Sequence, residues 1–337
     1  MKRVDWILLF AITIISIFGV IMIYSASYVW AEYKFGDPYK FVKTQGLFLI
    51  IGYIIMYVTL KVPYTKYLKG ANIIFGVCFL LLVLVLIPGI GTVRNGSRSW
   101  FGIGGFGVQP SEFAKLGMII FTSKYLAYNE KVLKDIKRGV LPILAVLMLV
   151  FGLIMLQPDF GTGVIIVISI IALLFISGVH MGFFVKMGFL GLLGVAALII
   201  VAPYRMKRIV SFLNPWSDPL GSGFQIIQSL YAIGPGGLLG LGFGKSIQKH
   251  FYLPEPQTDF IFAIISEEFG FVGILIVATL FLIVIYRGFR IAIHCENKFG
   301  KYLAFGITFQ LAFQALLNLM VVVGLIPVTG VTLRGIL

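Results

Sequence analysis

The chain has 337 residues, 59% of them hydrophobic and only 12% charged, and a formal net charge of +14. With a mean hydropathy of +1.02, it has far too little polar surface to cover a water-soluble globule, which excludes that class and predicts a polytopic membrane protein. The basic excess gathers at membrane edges and gives no ground for expecting a nucleic-acid partner.

Windows of about 18 or more mostly apolar residues, each able to cross roughly 30 Å of hydrocarbon, fall near 6–28, 42–60, 70–89, 111–128, 139–157, 162–181, 183–203, 260–286 and 302–326. The expected fold is an all-α polytopic helical bundle of nine transmembrane helices. It forms one domain over 1–337, with a large extracytoplasmic loop at 204–259 between the seventh and eighth spans.

The first window follows Lys2 and Arg3 and ends near Ser25-Ala26-Ser27, which resembles a signal-peptide cleavage site. Its apolar run from Trp6 to Tyr24 exceeds the roughly 7–15 residues of a signal core, so it reads as an uncleaved anchor. Cys78 lies within a span and Cys295 in a connection, with no metal-ligand spacing around either.

Lysine and arginine placement sets the orientation. One side collects Lys61, Lys66, Lys69, Lys131, Lys134, Lys137 and Arg138, among others, while the short loops opposite hold fewer. The amino terminus is therefore expected in the cytoplasm and the 204–259 loop outside, since long loops translocate largely regardless of charge.

Connections are short except for the glycine- and serine-rich stretch from Pro88 to Pro110 and the 204–259 loop. Gly102-Ile103-Gly104-Gly105-Phe106-Gly107 matches a dinucleotide fingerprint as a string but lacks its strand-to-helix setting. Gly244-Lys245-Ser246 resembles the end of a phosphate loop, yet Leu239 stands where the earlier glycine is required. Within the long loop, Gln225–Ile233 has the character of a short helix that Gly234-Pro235-Gly236-Gly237 then breaks.

Three groups of residues put charge where hydrocarbon is expected: Lys115 with Asp159, Glu267 with Glu268, and Asp259. Gln109-Pro110-Ser111-Glu112-Phe113-Ala114-Lys115 opens the fourth span, and Gln157-Pro158-Asp159-Phe160-Gly161 forms the turn before the sixth. Lys115 and Asp159 are expected at similar depth, with Glu112 beside them, either as a structural ion-pair clamp or as part of an active cavity. Glu267 and Glu268 follow Asp259 by about 12–14 Å if the helix is continuous, which puts them near the bilayer midplane on different faces.

Asp259 is the third. It closes a proline-stiffened approach, Tyr252-Leu253-Pro254-Glu255-Pro256-Gln257-Thr258, at the mouth of the eighth span. It reads equally as a helix cap and as a catalytic carboxylate. The cations of the preceding loop, Arg205, Arg208, Lys245 and Lys249, suit a phosphate-bearing substrate, and Gln248 and Glu255 are further candidates for substrate contact.

Taken in order, Gln109–Lys115, Gln157–Gly161, Tyr252–Ala263, Ser266–Gly270 and Gly324–Gly330 resemble the SEDS family (shape, elongation, division and sporulation) over essentially the whole chain. The Pro254–Asp259 wording, Val4-Asp5-Trp6 and Tyr24–Ser27 are more similar to the FtsW and SpoVE branch than to RodA.

The resemblance implies a glycosyltransferase of the bacterial cytoplasmic membrane that polymerises lipid II on the outer face, with Asp259 as its catalytic residue. It implies as partners a class B penicillin-binding protein transpeptidase and the divisome or sporulation machinery. No cofactor is fixed by the sequence; one carboxylate with substrate phosphates would suffice for a divalent cation, Mg or Mn. The family pattern has ten spans, whereas here Arg334-Gly335-Ile336-Leu337 follows the ninth, so weakened polymerase activity is expected of this sequence. A lipid II flippase and a non-enzymatic scaffold recruiting a transpeptidase are the alternatives.

Overall fold

The computed structural model describes residues 4–94, 97–103, 106–201, 206, 210–221, 223–254 and 256–328. Arg205, Arg208 and Glu255, three of the expected substrate contacts, lie outside the described residues, as do positions 329–337.

Each of the nine apolar windows contains a helix. They are α1 (Trp6–Phe35), α2 (Lys40–Lys61), α3 (Tyr64–Leu84), α4 (Pro110–Asn129), α5 (Leu141–Met155), α6 (Phe160–Ile176), α7 (Met181–Val201), α9 (Ile261–Ile293) and α10 (Lys298–Val322), with the short α8 (Phe224–Ile233) in the long loop. Among the described residues, six helices are long and apolar enough to cross a membrane: α1, α2, α3, α5 with the turn before it, α9 and α10. The 20-residue α4 carries Glu112, Lys115 and Lys124, and α6 spans only 17 residues.

One expectation is corrected. The stretch after Pro88 is not an irregular connection in an all-α protein, because it holds three antiparallel strands, β1 (Thr92–Arg94), β2 (Ser97–Ile103) and β3 (Phe106–Val108), in the order β1-β2-β3. Gly102 faces Gly107 across the β2–β3 ladder, so the two ends of the glycine string pair as antiparallel strands, a setting that a nucleotide loop does not have.

By its internal contacts the chain divides into two compact units. The first comprises residues 1–56, 191–287 and 314–337, and the second 57–190 and 288–313.

The second unit is built on α3, α4, α5 and α6. Its core includes Leu82, Met118, Ile119, Leu147, Ile154, Ile170 and Leu173. Close approach depends on small residues, as packing between membrane helices generally does. A Cβ on Gly117 would meet the Cys78 sulfur, and one on Gly306 would meet Ile119 and Leu173.

In the first unit, α1 and α9 run antiparallel. Asp5 caps α1 by accepting from the Leu8 amide at 3.0 Å and pairs with Arg287 at 2.7 Å. Phe18 meets Phe269 edge-on with centroids 5.7 Å apart, and the Ser25 hydroxyl donates to Glu268 at 2.6 Å. From Asp5 to Ser25 the helix rises about 30 Å at 1.5 Å per residue. Glu268 therefore lies about a hydrocarbon thickness from Asp5, rather than at mid-depth as a continuous helix from Asp259 would place it.

The Asp5–Arg287 contact predicts a pH dependence. Burial alone would raise the Asp5 carboxyl, but the Arg287 guanidinium and the Leu8 amide hold it below the usual carboxylate range. A group depressed in the folded state stabilises above its unfolded pKa of about 3.9 and loses that contribution as pH falls through the folded value. The parent protein should therefore lose melting temperature in detergent as pH drops below about 4, and Asp5→Asn should flatten that acid limb. Identical acid limbs would show that the pair contributes nothing.

Candidate active site

The Asp259 region is organised by a broken helix. Within α9, Gly270 takes φ 61° and ψ −158°, a backbone region essentially reserved for glycine. Breaking a helix frees backbone groups that hydrocarbon cannot satisfy. The glycine-rich segment after α8 satisfies them: the amides of Leu241 and Gly242 donate to the carbonyls of Glu267 and Glu268 at 2.9 and 3.0 Å, and those of Phe271 and Val272 donate to Gly237 and Leu238 at 2.9 and 3.1 Å. Cβ atoms on Gly236 or Gly240 would strike the carbonyls of Ser266 and Glu268. The predicted break after Ile233 is thus also the dock for α9.

Next along the chain, residues 246–249 turn over two consecutive carboxylates. Glu267 accepts from the Ser246 hydroxyl at 2.5 Å and from the amides of Ile247 and Gln248 at 2.8 and 3.4 Å. Glu268 accepts from Lys249 Nζ at 2.9 Å, from the Ser25 hydroxyl, whose oxygen lies 2.6 and 2.7 Å from the two carboxylate oxygens, and from the Ser246 amide at 3.4 Å. Both side chains of the Lys249–Glu268 pair are fully buried, and the ammonium also lies 4.9 Å from the centre of the Tyr28 ring. The two glutamates project differently from the helix, as 100° per residue requires, and the turn wraps around both.

Lys249, anticipated among the cations facing substrate phosphate, is enclosed on Glu268 because an unpaired carboxylate in the interior would be far more costly than a paired one. Lys245 is exposed and available to an anion. Gln248 is half-buried; its carbonyl accepts from the Leu253 amide at 2.9 Å, and among the described residues its side-chain oxygen has no hydrogen-bond partner.

Asp259 lies in a turn over 256–260, two residues before α9 begins, and is half-buried. Phe260, not Asp259, takes the position that precedes the helix, and it is buried with Ile261, Phe262 and Ala263. The Asp259 carbonyl accepts from the Asn318 side-chain amide at 2.8 Å. The backbone around the carboxylate is therefore held by apolar burial on one side and a hydrogen bond on the other.

The second unit gathers the other predicted charges. Pro110 occupies the first turn of α4, where its missing N–H is harmless. Lys115, buried, pairs with half-exposed Glu112 at 2.8 Å. Asp159 caps α6 by accepting from the Thr162 amide at 3.2 Å, and accepts from Gln109 Nε2 at 2.8 Å. Burial pushes the Asp159 carboxyl above its ordinary range; the Thr162 contacts and the Lys115 charge oppose that, while the Glu112 charge adds to it. Gln109 is the partner that spacing alone did not reveal.

A family model described as cell cycle protein, FtsW/RodA/SpoVE, matches residues 5–336. The chain is 52% identical over 329 residues to "Stage V sporulation protein E" of Bacillus subtilis (strain 168), covering 98% of this chain and 90% of that protein. It is 41% identical over 336 residues to "Probable peptidoglycan glycosyltransferase FtsW" of Geobacter sp. (strain M18), covering 99% and 92%.

Among solved structures, it is similar to a chain from "Structural coordination of polymerization and crosslinking by a peptidoglycan synthase complex", with a TM-score of 0.80, 30% identity and coverage of 98% and 91%. It is also similar to the rod shape determining protein RodA of Thermus thermophilus, with a TM-score of 0.68, 26% identity and coverage of 98% and 89%.

Proposed function

The chain belongs to the FtsW/RodA/SpoVE family of cell cycle proteins, and we propose on that premise that it polymerises lipid II into glycan strands on the outer face of the bacterial cytoplasmic membrane. It is a peptidoglycan glycosyltransferase, as are relatives of that name, and an integral membrane protein. The reading includes nine spans, a cytoplasmic amino terminus and an external 204–259 loop. The observation that carries the catalytic assignment is the placement of Asp259, half-exposed on a turn whose backbone is held by Asn318 and by the buried start of α9.

In the proposed step, the 4-hydroxyl of one sugar attacks the anomeric carbon of another. A new C–O bond forms there as the bond to the lipid pyrophosphate breaks. Asp259 accepts the hydroxyl proton, a general-base contribution of about 10²–10⁴-fold. Negative charge gathering on the departing pyrophosphate is met by Arg205, Arg208 and Lys245 of the long loop, acting as placed electrostatics. Gln248 and Glu255 are further candidate contacts.

Among the described residues no three His, Cys, Asp or Glu side chains converge. Were Mg or Mn to bind, substrate phosphates with the Asp259 carboxylate would hold it, and it would neutralise leaving-group charge.

Similarity to a chain of a peptidoglycan synthase complex supports a class B penicillin-binding protein as partner. The 52% identity to the sporulation protein, against 41% to an FtsW relative, supports a sporulation role over a divisome one. The test is reconstitution of the purified chain in vesicles containing lipid II. Glycan strands that lengthen with time are expected; transbilayer movement of lipid II with no strand made would instead establish a flippase.

A further inference from the structure

We propose that the buried Lys249–Glu268 pair, braced by Ser25, is a positioning staple for the reaction: it closes the strap of chain that carries Asp259 and fixes where that carboxylate stands. The inference rests on the polymerase reading above and deepens it by naming residues that act through Asp259 rather than on substrate.

Asp259 lies midway along a segment that leaves the buried turn at Lys249 and returns to it at Glu267 and Glu268. At that junction the two ends are tied by an ion pair of 2.9 Å with both side chains fully buried. Glu267 adds its own ties to Ser246, Ile247 and Gln248. The far side of the junction is α1, through the Ser25 hydroxyl, which donates to Glu268 and lies 3.4 Å from Lys249 Nζ. The strap is thus anchored to a 30-residue helix that is itself fixed to the opposite end of α9 by Asp5 and Arg287. At its apex, the Asn318 amide holds the Asp259 carbonyl.

Cohesion alone does not account for this arrangement. A buried ion pair is often matched or exceeded in stability by well-packed apolar side chains of similar volume. What charge and hydrogen bonds add over an apolar contact is direction, because a carboxylate on α9 that receives donors from α1 and from the 246–249 turn fixes the mutual geometry of the three segments. Misplacing a reacting group by about 1 Å can cost on the order of 100-fold in rate, so a device that fixes geometry acts on turnover.

The test uses the full chain in lipid II vesicles and the double variant Lys249→Met with Glu268→Leu, which removes both charges together while keeping apolar bulk. Parent-like melting is expected, with kcat lowered about tenfold or more and KM for lipid II within about twofold. Parental kcat in the double variant would show that the pair serves packing only. A raised KM with unchanged kcat would show that Lys249 meets substrate phosphate.

Should the double variant fail to insert, Ser25→Ala removes only the brace. It is expected to lower kcat several-fold at constant KM, and an unchanged kcat would overturn the staple. An inactive parent chain would fail the polymerase reading itself, which keeps the two failures distinct.

Discussion

Asp259→Asn in the full chain is expected to lower lipid II polymerisation by about 10²–10⁴-fold, the range that loss of a general base produces, while membrane insertion and detergent melting are expected to stay near parental. The substitution preserves side-chain size and removes only the titratable carboxylate. The backbone contact from Asn318 goes to the Asp259 carbonyl, which the variant keeps, and the buried flank at Phe260 and Ile261 is untouched. A radiolabelled lipid II assay on purified protein reads the rate, and a melting curve on the same preparation reads the fold. Near-parental synthesis by a well-folded variant would remove Asp259 from the chemistry.

The second large effect is on stability. Gly270→Ala forces a Cβ into a backbone conformation that costs about 1–3 kcal/mol for a non-glycine residue. The same Cβ points at the Gly240 amide and the Gly236 carbonyl, inside the dock that satisfies the broken helix, so strain and lost hydrogen bonds add. The variant is expected to melt well below parent or to fail to accumulate in membranes. Gly152→Ala is the control, because it is helical and its added Cβ meets nothing within 4 Å. That change is expected to be neutral or to gain up to about 1 kcal/mol. Equal melting of Gly270→Ala and parent would show that the break is not required.

Helix positions were legible in the sequence because a membrane span is written in composition: about 18 apolar residues in a row carry the signal without any partner. The short helix near Gln225–Ile233 and its glycine-proline stop were legible for the same local reason, and the structure places α8 at Phe224–Ile233. The strands after Pro88 were not, because β1 and β3 are three residues each and glycine and serine there read as loop. The break in α9 left one trace, a glycine inside a long apolar run, but its meaning depended on a segment about thirty residues earlier docking against it.

The site divides along the same line. Asp259 stands out in the sequence because a carboxylate at the mouth of an apolar helix is unusual wherever it packs. The enclosure of Lys249 was not, since its partners Glu268 and Ser25 are 19 and 224 residues away and a loop lysine looks like a solvent cation until the fold closes over it. The tie from Gln109 to Asp159 was hidden for a similar reason: it joins positions 50 apart, and a neutral amide at a helix start carries no charge signal.

The most direct test of the central claim is a structure of the full chain bound to a non-hydrolysable lipid II analogue in the acceptor position. The account predicts an Asp259 carboxylate oxygen within about 2.6–3.2 Å of the sugar 4-hydroxyl, directly or through one water, with the Lys249–Glu268 pair still closed beneath it. An acceptor hydroxyl whose proton faces another side chain, with Asp259 turned away from it, would contradict the account.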